Sequence, residues 1–398
     1  MQFIKKAPGR AILFAVMLFI IPNSYAQVIS IEEFLRLNVK SGDLAKSTEL
    51  NLDSEIVGWS NEGPQKDEIA TFRNANTVDI FSANKLVSSL STVDFPIGIK
   101  GFVAIDSTYK FYAYKQSGNE NYEFGLFNLD GTLFKSISEA GLKFSPHAKF
   151  LYKPCSMENL SPISVFNLDG DEVFTISPES ECQVVAPTDS QLIVSQKKLL
   201  SMWSIDSKEM IWETEIPRSN YYTDAAFEIL YSVKNNIIVA RDSFGCYCFD
   251  FNGSFLWSQE GINENREINM VGISKDEGNI LIAAQSSNSI EAILFDQNGT
   301  NLKEFEIPIH ITAYLTFNAD VYKDLFLLRF WGKGDSIQKR KLVTIIAINI
   351  NNEWICMPVK GAWYLLTSVI PPKRVLIGFG DNKKQISTYE LNKEVQND

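Results

Sequence analysis

The sequence predicts an all-β chain folded as a single β-propeller of four-stranded antiparallel blades, and three observations carry that prediction. A short hairpin phrase recurs along the chain, its spacing matches one blade, and the strand-like runs are apolar on both faces. The phrase reads FNLDGTLF from Phe127, FNLDGDEVF from Phe166, FDFNGSFLW from Phe249 and FDQNGTNL from Phe295. Each is two strands closed by Asp-Gly or Asn-Gly, pairs that tolerate the positive φ angles of a type I′ turn. Weaker copies stand at Ala83-Asn84, Ser207, Asn351-Asn352 and Asn392, so that successive turns from Asn84 are 47, 39, 37, 46, 46, 53 and 40 residues apart. A four-stranded blade has that length.

From the N-terminus, Lys5, Lys6 and Arg10 precede an unbroken apolar run, Ala11 to Ile21, with Ser24 and Ala26 beyond it. These are the three zones of a secretory signal peptide, and the run is about half the roughly 20 residues a membrane-crossing helix needs. Residues 1–26 are therefore expected to be removed, leaving Gln27 first and a domain exported to the periplasm or the exterior. Later apolar runs are short and broken by polar residues, so no membrane span is expected after cleavage. Removing three cations takes the formal charge from -11 to -14. That acidity disfavours nucleic acid and anionic headgroups as partners.

Residues 27–392 are expected to form one ring-closed domain followed by a polar tail, 393–398. The last module, Trp363 to Leu391, lacks a fourth strand, and the segment 27–53 holds strand-capable stretches that would supply it and cover the open edge. Eight blades are favoured and seven is the runner-up. Between the ends, runs such as Leu342–Ile348 and Asn279–Ala284 are apolar on both faces, as strands covered on both sides require.

Two phrases resemble known families. KFSPHAKFL from Lys143 is similar to the inner-strand phrase of WD40-type propellers; DSKEMIW from Asp206 and NGSFLW from Asn252 resemble the turn-then-Trp phrase of PQQ-like repeats. The resemblance implies a propeller and a non-enzymatic member of that superfamily. A quinone-dependent relative would carry adjacent cysteines beside its cofactor, and this chain has no Cys-Cys pair. No cofactor is expected.

Catalytic and metal chemistry find little footing. His147 and His310 are the only histidines, and no phosphate-gripping glycine loop is present. Cys246 and Cys248 fall on one side of one strand and read as packed core thiols, because two further metal ligands are not announced. No metal site is expected. Cys155 and Cys182 sit at strand ends in consecutive modules and suit a disulfide in an oxidising compartment.

Topology directs the functional reading. Turns between the last two strands of a module are tight, whereas longer connections, at Gln116–Tyr122, Pro217–Asp224, Gly261–Glu267, Gly332–Lys341 and Asp381–Lys384, fall at the opposite end. Binding residues concentrate on such loops. Arg218, Tyr221, Tyr222, Lys333, Lys339, Arg340, Lys341, Lys383 and Lys384 make that end basic and aromatic against an acidic background, which suits a protein or peptide partner or an anionic glycan. The expected function is a non-catalytic, monomeric binding or scaffolding module. The alternative is a carbohydrate hydrolase or lyase using Asp224, Glu264 or Glu267 at a funnel mouth.

Overall fold

A computed structural model describes the strands given below, most connections within residues 142–307, and isolated positions elsewhere, including Glu33, Arg36 and Leu37; within 142–307 it leaves out 147–148, 156–160, 218–225, 263–267, 269, 275–276 and 286–288. Strand β1 (Leu44–Asn51) comes first. One sheet follows from β2 (Ile56–Trp59), β3 (Glu68–Asn74), β4 (Thr77–Ser82) and β5 (Lys85–Ser91), and a three-stranded one from β6 (Phe111–Ser117), β7 (Asn121–Phe127) and β8 (Leu133–Ile137). Next come β9 (Lys143–Phe144), β10 (Leu151–Lys153), β11 (Ile163–Phe166) and β12 (Glu172–Ile176), then β13 (Cys182–Thr188), β14 (Gln191–Gln196), β15 (Leu199–Ser204) and β16 (Glu209–Glu215). The series continues with β17 (Glu228–Ser232), β18 (Ile237–Arg241), β19 (Gly245–Phe249) and β20 (Phe255–Glu260), and with β21 (Met270–Ile273), β22 (Ile280–Gln285), β23 (Ile290–Phe295) and β24 (Asn301–Ile307). A further sheet holds β25 (Leu315–Tyr322), β26 (Leu325–Gly332), β27 (Lys341–Ile350) and β28 (Glu353–Lys360). The last strands are β29 (Ala362–Val369), β30 (Pro372–Phe379) and β31 (Gln385–Leu391), and β1 pairs antiparallel with β31, Leu44 opposite Leu391 and Asn51 opposite Gln385. Every pairing is antiparallel between strands adjacent in sequence, apart from that one. No helix among the described residues is long and apolar enough to cross a membrane.

Burial follows strand rank. Middle strands are covered on both faces, so β18 and β19 are buried at every position, while the fourth strands β16 and β20 are mostly exposed. Sheets pack face to face through continuous apolar layers. One layer joins Ile193, Leu200 and Met202 to Phe227, Ile238 and Tyr247; the next joins Val239, Cys246 and Cys248 to Val271, Ile280 and Ile282. Side chains two apart on a strand share a face, which is why Cys246 and Cys248 enter the same layer.

The hairpin phrase forms a turn different from the one expected. In the 250–254 hairpin, Asp250 and Ser254 pair through Asp250 N–H to the Ser254 carbonyl, and Gly253 N–H donates to the Asp250 carbonyl. Only Gly253 has positive φ, +82°, whereas a type I′ turn would need Asn252 there as well. The loop is thus a three-residue type I turn ending in a left-handed glycine. The 167–171 and 296–300 hairpins repeat it, with Gly170 at +83° and Gly299 at +80°. The second residue of the phrase selects this form. Asp250 Oδ1 accepts from the N–H groups of Asn252 and Ser254, Asp296 Oδ1 from those of Asn298 and Thr300, and Asn167 Oδ1 from Asp171. A short side-chain acceptor that hydrogen-bonds backbone two residues on stabilises the type I form locally.

At Asp296, desolvation pushes the carboxyl pKa up, but the hydrogen bonds from Thr300 and Asn298 outweigh it and hold the group below its ordinary value. A lowered folded pKa gives stability that is present above the unfolded value, near 4, and is lost as pH falls through the folded one. Asp296→Asn keeps the acceptor, as Asn167 does in its hairpin, and is expected to remove this part of the acid sensitivity. Urea midpoints of the two proteins should differ in pH slope below about pH 4 and run parallel above it.

Behind six of the turns the last strand of the hairpin carries one extra residue. Cys248 faces Trp257 and Phe249 faces Phe255, so Leu256 is unpaired; the same step leaves out Val87, Phe134, Val173, Ile211 and Leu302. After each bulge comes a residue at one equivalent register position: Ser88, Lys135, Phe174, Trp212, Trp257 and Lys303. At Lys135, Phe174, Trp212 and Trp257 that position reaches the next module. Trp212 Nε1 donates to the Phe251 carbonyl at 2.8 Å and Trp257 Nε1 to the Gln297 carbonyl at 3.2 Å. Each indole lies on the glycine of that turn, where an added Cβ would come within 2.8 Å of Trp212 at Gly253 and 2.7 Å of Trp257 at Gly299. The stem of Lys135 covers Gly170 in the same way.

At the same end, serines close the turns between first and second strands. Ser145, Ser232 and Ser274 are fully or almost fully buried. Ser145 Oγ accepts from Lys149 and Phe150 N–H, Ser274 Oγ from Glu277 N–H, and Ser232 Oγ from the Asn235 amide. The WD40-like phrase at Lys143 is one instance of this corner.

Candidate functional site

The other end of the sheets carries the second-to-third strand turns and the connections between modules. Those connections are fastened at their bases. Ile216 N–H donates to the Lys198 carbonyl, Gly261 N–H to Phe244 and Ile268 N–H to Ser243, while Phe227 N–H reaches Ser195 Oγ at 3.0 Å. Each bond ties the base of an incoming or outgoing connection to the end of a sheet where β14 meets β15 or β18 meets β19.

The 242–244 turn is built from its own side chains. Asp242 Oδ1 accepts from Phe244 and Gly245 N–H, both at 2.8 Å. Gly245 has no side chain because the ring of Tyr247 occupies the space: a Cβ would meet it at 2.6 Å. Tyr247 is fully buried and meets Phe227 edge to face, ring centres 5.7 Å apart. The turn and the head of β17 are thereby packed as one block.

Arg241 closes that block at the paired ends of β17 and β18. Its guanidinium is almost wholly buried, 10% exposed, and pairs through Nε and Nη2 with Glu228 Oε2, whose side chain is 44% exposed; Nη1 donates to the Ile268 carbonyl at 3.3 Å. A buried guanidinium is costly unless paired and hydrogen-bonded. Here one charge holds together the ends of β17 and β18 and the connection into the next module, and presents a half-exposed carboxylate at the rim. Sequence reading missed this pair, since Arg241 and Glu228 stand at ordinary strand-end positions and only the antiparallel register sets them opposite.

Cys155 and Cys182 are disulfide-bonded, Cα atoms 5.9 Å apart, tying the connection after β10 to the head of β13 at this same end. Cys246, Cys248 and Cys356 are free. Desolvation, with the Cys246 thiol beside it, pushes Cys248 well up, and desolvation pushes Cys356 up to about 12. Neither is a nucleophile at neutral pH.

Of the basic and aromatic residues expected here, Arg218, Tyr221, Tyr222, Lys333, Lys339, Arg340, Lys383 and Lys384 lie outside the described residues, as do His147, His310, Asp224, Glu264 and Glu267; Lys341 begins β27, its side chain outside them. Among the described residues no cluster of three or more His, Cys, Asp or Glu could hold a metal ion.

No family model and no curated protein matches the sequence. Solved structures do match. BamB from Moraxella catarrhalis is 13% identical, with a TM-score of 0.55 over 87% of this chain and 99% of that one. KlHsv2 with its loop 6CD replaced by a Gly-Ser linker is 10% identical, with a TM-score of 0.54 over 78% of this chain and 98% of that one. A eukaryotic initiation factor is 12% identical, with a TM-score of 0.52 over 88% of both chains. Together with the serial four-stranded sheets and the indole clasp, these likenesses show the fold of the chain, a β-propeller of four-stranded antiparallel blades.

Proposed function

We propose that this chain is an exported, non-catalytic propeller of eight blades, closed by β1 as the outer strand of the last, and that it binds a protein or peptide through the end bearing the longer connections. The observation that carries the reading is the contrast between the two ends. One end is finished in tight hairpins whose polar groups are consumed by their own backbone; at the other, the bases of longer connections, at Ile216, Phe227, Gly261 and Ile268, are tied to the ends of the sheets. A rigid base with projecting loops is the usual arrangement of a binding surface. The partner would be an acidic segment, because the loop cations Lys339, Arg340, Lys341, Lys383 and Lys384 stand out from an acidic chain.

The test is capture from envelope extracts by the mature domain, beside a variant with those five cations changed to Glu. A partner retained by the first and lost by the second, at equal melting temperature and more weakly in higher salt, supports the reading. A partner held equally by both puts the binding surface elsewhere. N-terminal sequencing of the exported protein should begin at Gln27.

A further inference from the structure

The outer circumference carries large apolar side chains in water. On three consecutive fourth strands, Met210 and Ile211 of β16, Phe255 and Leu256 of β20, and Leu302 of β24 are 45–50% exposed, each at a bulge or the residue before it. Chance placement explains single exposed leucines, not the same position filled three times in succession. The internal repeat extends this. The unpaired bulge residue is apolar in all six hairpins that have one, namely Val87, Phe134, Val173, Ile211, Leu256 and Leu302. At Ile211, Leu256 and Leu302 the side chain is half exposed, whereas Val173 is partly buried against the layer of Val165 and Val184.

The same strands define the charge of a partner. β16, β20 and β24 carry six exposed glutamates and a single lysine, Lys303. An anionic bilayer or a second copy of this surface would be repelled. Strand addition to the edge is also disfavoured, since a bulge interrupts the row of backbone groups an incoming strand would need. What remains is side-chain docking over the joints where Trp212 and Trp257 reach the next hairpin.

We infer that the arc formed by β16, β20 and β24 is a second docking surface, for a polypeptide segment that carries Lys or Arg beside apolar residues. Apolar side chains of the segment cover Ile211 and Leu256, and its cations face the glutamates. This surface is distinct from the loop end and does not depend on it.

The test uses the mature domain and three fluorescein-labelled peptides, alternating Lys with Leu, Lys with Ser and Glu with Leu, followed by fluorescence anisotropy. The Lys/Leu peptide is expected to bind, and Ile211→Ser with Leu256→Ser to weaken it by about tenfold or more. Both substitutions are at exposed positions, so melting should be unchanged. A photo-crosslinker on the peptide should map to β16 and β20. Equal binding of the Lys/Ser peptide reduces the surface to charge alone and overturns the proposal. So do crosslinks confined to the loop end, binding unaffected by the double variant, no binding at all, self-association in sedimentation that the double variant abolishes, or equal capture by anionic vesicles.

Discussion

Gly253→Ala is expected to cost about 3 kcal/mol, far more than an Ala substitution in an ordinary turn. Two penalties act at once. A φ of +82° strains any residue with a Cβ, by about 1–2 kcal/mol, and the Cβ would come within 2.8 Å of the Trp212 indole, which its hydrogen bond to the Phe251 carbonyl holds in place. The measurement is urea unfolding of a double-mutant cycle. In a Trp212→Ala background the clash is gone, so Gly253→Ala should then cost only the backbone part, a coupling of about 1–2 kcal/mol. Additive costs would mean that the indole does not rest on the turn. Gly253→Asn, which tolerates the left-handed region, should cost less than Ala in a Trp212→Ala background.

Removing the Cys155–Cys182 bond with serine at both positions is the second large effect. The two cysteines are 27 residues apart, and a loop of that size is worth about 3 kcal/mol through the unfolded chain. The loss should appear as a lower urea midpoint in oxidised protein and vanish when wild type is measured with reductant. Thiol titration provides an independent readout. Unfolded wild type without reductant should show three thiols, those of Cys246, Cys248 and Cys356, and the serine variant the same three. In the native state Cys246 and Cys248 should not react, being fully buried with the Cys248 thiol strongly protonated. Five thiols in unfolded wild type would mean that the bond does not form in the protein.

Much of the fold was legible because the hairpins write it locally. An acceptor, an Asp-Gly or Asn-Gly pair and a flanking aromatic fall within a few residues of one another, so their spacing could be counted directly. The turn type was misjudged for a physical reason: Asn-Gly suits I′, but Asp250, Asp296 and Asn167 stand two or three residues earlier and hold the type I form. The clasp was half legible. Trp212 and Trp257 drew the eye, whereas Lys135, Phe174 and Lys303 occupy the same register without a shared chemistry, and only strand pairing lines them up. The Arg241–Glu228 pair was not legible at all, since a buried guanidinium at a strand end looks in sequence like any surface arginine.

The uneven filling of the clasp position has a mechanical meaning. Modules arranged in series share their stability through nearest-neighbour contacts, so the whole can be no more uniform than its joints. Where an indole with a hydrogen bond spans the joint, at Trp212 and Trp257, adjacent modules should open together; where a lysine stem does so, at Lys135, the seam is weaker. Two consecutive indole joints, with the Cys155–Cys182 bond fastening the module before them, make residues 143–307 a stiffer stretch than the seam spanned by Lys135. Deformation under load, or on engaging a partner, would then be taken up outside that stretch.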